Sequence, residues 1–72
     1  MIDEHYGMPV YRIIYNGYGA NRSVYREQEI SFETPHDWSR SKDEADNVML
    51  LVHNKLHEHF SRYDILLVEK IK

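Results

Sequence analysis

The chain has 72 residues, no cysteine and a net charge of −3. A chain this short buries only roughly 60% of its unfolded surface, which allows one small core over residues 1–72, and without thiols it has neither a disulfide framework nor a thiolate zinc site. No stretch is apolar enough for a signal peptide or a membrane span, so a soluble protein of a reducing cytoplasm, without membrane contact, is expected.

Residues 1–9 are polar and aperiodic, and Pro9 suits a strand's first residue or edge, so this segment is expected to be loosely ordered. Val10-Tyr11-Arg12-Ile13-Ile14-Tyr15 is β-branched and aromatic and reads as a strand. Tyr11, Ile13 and Tyr15 fall on one of its faces, and Val10, Arg12 and Ile14 on the other. The glycines and asparagines of residues 16–21 supply a hairpin loop. From Arg22 to Glu33 the pattern alternates, placing Val24, Ile30 and Phe32 on one side and Tyr25, Glu27, Glu29 and Glu33 on the other.

Thr34-Pro35-His36-Asp37-Trp38-Ser39-Arg40 reads as a connection, because proline ends strand pairing and the polar cluster fits a turn; Trp38 is expected to fold back onto the core edge. Ser41-Lys42-Asp43-Glu44 fits a capping box, with the serine oxygen accepting from the Glu44 N–H and the Glu44 side chain reaching back. A helix is predicted from Lys42 to about Phe60, with Ala45, Val48, Met49, Val52, Leu56 and Phe60 as its core stripe. Tyr63 to Ile71 reads as a strand with apolar residues on both faces, the best candidate for double burial.

The order ββαβ gives an α+β fold. With the last strand beside the first, the predicted sheet order is 2-1-3, with one helix on one face. One helix covers only one face of three strands, so the other is left for a partner or a second copy. A homodimer would supplement so small a core.

Charge is segregated: residues 5–26 carry +3 and residues 27–46 carry −5. Basic aromatic strands suit single-stranded nucleic acid, since bases stack on aromatics and arginine contacts phosphate. The residue types are supplied by Tyr11, Tyr15, Tyr25, Arg12, Arg22 and Arg26, but alternation separates Tyr11 and Tyr15 from Arg12. The contact patch that remains is Arg22, Tyr25 and Arg26, with Arg12 beside it. Leu66 and Val68 are read as sharing a strand face opposite Ile65 and Leu67, and as a protein-contact pair on the uncovered side. Leu50 and Leu51 point away from the helix stripe.

No motif dictates a chemistry. His53 and His57 lie one helical turn apart, a metal-ligand spacing, but Asn54 stands where a zinc protease needs glutamate, so no metal site is assigned. Gly17-Tyr18-Gly19 lies between strands and does not open a helix, so it is read as a turn and not as a phosphate loop. The serines lack a nucleophile elbow, and neither catalytic residues nor a cofactor are assigned.

The hairpin, the acidic connection, the helix opened by Asp43-Glu44-Ala45 and the closing Asp64-Ile65-Leu66-Leu67-Val68-Glu69 strand together resemble the small ββαβ early proteins of bacteriophages. In outline they are similar to the podovirus inhibitors of bacterial RNA polymerase. The resemblance covers most of residues 10–71. It implies a non-enzymatic, phage-encoded protein acting in the host cytoplasm on a host polymerase, nucleoid protein or protease, or on RNA. The alternative reading is direct binding of RNA or single-stranded nucleic acid through the tyrosine and arginine hairpin.

Overall fold

The computed structural model describes residues 8–72. Strand β1 (Val10–Tyr18) leads through a 3-10 turn at Ala20–Arg22 into β2 (Val24–Glu33), and helix α1 (Lys42–His57) precedes β3 (Arg62–Lys70). The sheet is β2-β1-β3, with β1 antiparallel to both neighbours, as the ββαβ reading predicts. The loose order expected of residues 1–9 falls mostly on residues 1–7, which lie outside the described residues. Pro9 is buried, and its carbonyl accepts from the Thr34 N–H at 3.1 Å.

Alternation holds along β1. Tyr11, Ile13 and Tyr15 turn to the helix and form the core with Val48, Val52 and Leu56, the last three spaced by helical periodicity along one side of α1. Both loop glycines have ordinary φ, and positive φ falls instead on Asn21 and Arg22. Gly17 belongs to β1, which takes in the first three residues of the predicted loop; a Cβ there would lie 2.7 Å from the Phe60 ring. The glycine is thus required by close packing, not by a turn.

The other two strands break their alternation, each at a bulge. In β2, Gln28 pairs with Tyr15 but Tyr25 pairs with Gly17, so Arg26 and Glu27 together oppose Asn16. Glu27 adopts φ 51, and its N–H bonds to Asn16 Oδ1 at 2.8 Å. One extra residue reverses the faces. Tyr25 therefore packs on the helix side against Phe60, and Val24 pairs with Tyr18 on the open side, the reverse of the predicted faces. In β3, Leu67 pairs with Ile14 and Ile65 with Tyr15, which makes Leu66 the extra residue. Val68 consequently joins the core, where alternation had placed it on the uncovered face, and Leu67 takes that place. Nor is β3 doubly buried, since Leu66 is 51% and Leu67 44% exposed.

Tyr11 fastens the 34–40 connection. Its hydroxyl donates to the His36 carbonyl at 3.0 Å and accepts from the Trp38 N–H at 3.1 Å, while Trp38 meets the Tyr11 ring edge-on. Trp38 thus closes the core edge as expected. Ser41 caps α1 through the Glu44 N–H, but the Glu44 carboxylate reaches the Asp37 N–H and His36 Nδ1 instead of returning to Ser41. The capping box is therefore half formed. The helix ends at His57, and the Phe60 N–H still bonds to the Leu56 carbonyl.

Candidate interaction surface

Among the described residues nothing covers the sheet face away from α1. Its central row comes from β1: Val10, Arg12, Ile14, Asn16 and Tyr18, each half-buried between its neighbours. Ile14 is flanked by Leu67 on β3 and Glu29 on β2, and Ile71 lies beside Val10, its N–H bonded to the Val10 carbonyl at 2.7 Å. Val10 with Ile71, and Ile14 with Leu67, form two partly exposed apolar pairs separated by the Arg12–Glu69 ion pair, with Leu67 at 44% and Ile71 at 51% exposure.

Two polar clusters bracket Ile14. The Arg12 guanidinium contacts Glu69 at 2.7 and 3.2 Å and lies 4.0 Å from Glu29, so its charge is already answered within the chain. At the other end, the Tyr18 hydroxyl donates to Asp64 Oδ2 at 2.6 Å, and the Arg62 guanidinium lies 5.5 Å from the Tyr18 ring centroid. The bond to Asp64 pushes the Tyr18 pKa above that of an ordinary phenol. Tyr18, His57, Ser61, Arg62, Tyr63 and Asp64 line a shallow cavity of about 280 Å³ at this end.

The residues singled out from sequence are dispersed. Arg12 is on the open face but ion-paired; Arg22 and Arg26 are exposed at the far end of the hairpin; Tyr25 is on the helix side; Val68 is in the core; Leu66 lies at the β3 bulge. With Tyr11 and Tyr15 also buried beneath the helix, the tyrosines singled out from sequence do not share a platform with Arg12. His53 Nδ1 bonds to the Tyr63 hydroxyl at 2.6 Å and His57 meets the Tyr63 ring edge-on, and among the described residues no three potential ligands gather around a point. Among the described residues no helix is long and apolar enough to cross a membrane.

Sequence reasoning missed Tyr18, Arg62, Asp64 and Leu67 as members of one surface. Extending the β1 alternation two residues past Asn16 would have found Tyr18, whereas nothing in the Ile-Leu-Leu-Val run marks which residue bulges. No family model, curated protein or solved structure matches the chain.

Proposed function

We propose that the chain is a non-enzymatic binding module, encoded by a phage and active in the host cytoplasm, which attaches to a host protein through its open sheet face. The observation that supports this is the exposed apolar pairs Val10–Ile71 and Ile14–Leu67, set on either side of an Arg12–Glu69 ion pair that answers the charge between them. Apolar side chains beside paired charges suit protein contacts. Nucleic acid would need free cations beside exposed aromatics; Arg12 is held by Glu69 and Tyr11 and Tyr15 are buried, which leaves the alternative reading to Arg22, Arg26 and the 47% exposed Tyr25 at the far end of the hairpin. Polymerase, nucleoid and protease classes are the partners that the resemblance to phage early proteins brings forward.

The test compares Leu67→Asp with Asn54→Asp in binding to purified bacterial RNA polymerase, nucleoid protein and protease, alongside titration with short RNA at low and moderate salt. One protein target that tolerates Asn54→Asp and rejects Leu67→Asp is the expected result. Salt-sensitive RNA binding lost on Arg22→Ala and Arg26→Ala, with no protein bound, would replace the reading with the nucleic-acid one.

A further inference from the structure

The two edges of the sheet are built differently. The β2 edge carries Glu27, Glu29 and Glu33, and its ladder is interrupted where Glu27 turns to φ 51. Charge and bulging are devices that keep edge strands from pairing. On the opposite edge, β3 has its own bulge at Leu66 and charges at Arg62, Asp64, Glu69 and Lys70, but between those charges it holds the apolar run Ile65-Leu66-Leu67-Val68, with Leu66 51% and Leu67 44% exposed. Among the described residues no strand lies along its outer side. Unpaired backbone groups beside apolar side chains are a template for another strand.

We propose that β3 pairs antiparallel with β3 of a second copy of this chain, in the register that sets Arg62 opposite Glu69 of the partner subunit, joining two sheets into one. Three observations select this register. The first is facing. Arg62, Asp64, Leu67 and Glu69 lie on the open face, while Tyr63, Ile65 and Val68 lie on the helix face. Residues opposite each other in a ladder share a face, and pairing 62 with 69, 63 with 68 and 64 with 67 satisfies this at every step, whereas a shift of one residue violates it. The second is hydrogen-bond phase. Ile71 donates inward to Val10, so alternate residues back along the ladder turn inward and Val68 turns its backbone groups outward. Past the bulge, the register with β1 gives Tyr63 the same outward phase, so Tyr63 and Val68 can exchange bonds with each other across the axis. The third is charge. Arg62 meets the Glu69 carboxylate, which also holds Arg12 of its own chain, at two symmetry-related places, while sliding by two residues sets Asp64 against Glu69 and places like charges together.

The two-fold axis passes between Ile65 and Leu66, so the bulge in one strand meets the same bulge in the other and half-exposed Leu66 is covered. Both helices lie on one side of the joined sheet. Both open faces lie on the other, doubling the surface offered to a partner. The dimer itself does not depend on what that face binds.

Sedimentation of the full chain over a wide concentration range should show a monomer–dimer equilibrium. Arg62→Glu should weaken it at least about tenfold, because it sets like charges at both symmetric contacts, and an equimolar mixture with Glu69→Arg, whose own fold is checked separately because that change also removes the partner of Arg12, should regain wild-type association. Amide hydrogen exchange on the wild type gives a readout independent of variant folding: protection at Tyr63 and Val68 should rise with concentration. The proposal is overturned by a chain that stays monomeric at millimolar concentration, by a mixture no tighter than either variant alone when both are folded, or by a dimer that leaves those two amides unprotected.

Discussion

Replacing Tyr11 by phenylalanine removes one oxygen and keeps the ring. The ring stacks on Phe32 at 5.8 Å and meets Trp38 at 5.0 Å, so packing is retained, while the hydroxyl that joins β1 to the connection is lost. Two hydrogen bonds go with it, to the His36 carbonyl and from the Trp38 N–H. At about 1 kcal/mol each the loss is about 2 kcal/mol, and for a domain of this size that lowers Tm by roughly 8–16 °C. Tyr15→Phe is the control, because Tyr15 is only 6% exposed yet its hydroxyl makes no hydrogen bond to the described residues. Its expected cost is under about 0.5 kcal/mol. Urea and thermal unfolding followed by Trp38 fluorescence measure both. Equal midpoints for the two variants would refute the assignment of the Tyr11 hydroxyl as the fastening of the connection.

Gly17→Ala puts a Cβ 2.7 Å from three Phe60 ring atoms and should cost about 1–3 kcal/mol in urea unfolding; Phe60→Leu in the same chain should recover part of it. Glu27→Gly should be neutral or raise stability by up to about 1 kcal/mol, since it relieves φ 51 at the bulge and the flexibility it adds to the unfolded chain offsets only part of that relief; a loss in thermal melting would contradict the strain reading. Acid unfolding should depend on Asp37. Bonds from the Ser39 hydroxyl and N–H, and then from Lys70, lower its pKa from 3.8 to about 2. A depressed carboxylate stabilises the fold above its unfolded pKa, and that contribution is lost as pH falls from about 4 towards 2. Glu44, lowered first by its hydrogen bond with His36, acts in the same direction. In urea midpoints measured against pH, Asp37→Asn should flatten the decline over this window.

What could be read in advance follows from regular periodicity. The β1 faces and the Val48, Val52 and Leu56 stripe obey periods of two and three to four residues, so order, topology and helix face were legible. The surface was not, because each bulge inserts one residue and reverses every later face. Glu27 holds its bulge without glycine, so no residue type announces it, and Leu66 is an apolar residue within an apolar run. Val68 and Leu67 exchange roles for that reason alone. The Glu44 side chain departs from its capping role because the folded connection brings Asp37 and His36 closer to it, a tertiary contact that the Ser-Lys-Asp-Glu pattern does not encode.

Site-specific photo-crosslinking tests the open face most directly. A photoreactive residue is placed at Leu67 on that face or, in a second preparation, at Asn54 on the exposed side of α1, and each is irradiated in nuclease-treated bacterial lysate. The account predicts a defined protein adduct from position 67 and none from position 54. No adduct at 67, or the same adducts at both positions, would contradict it.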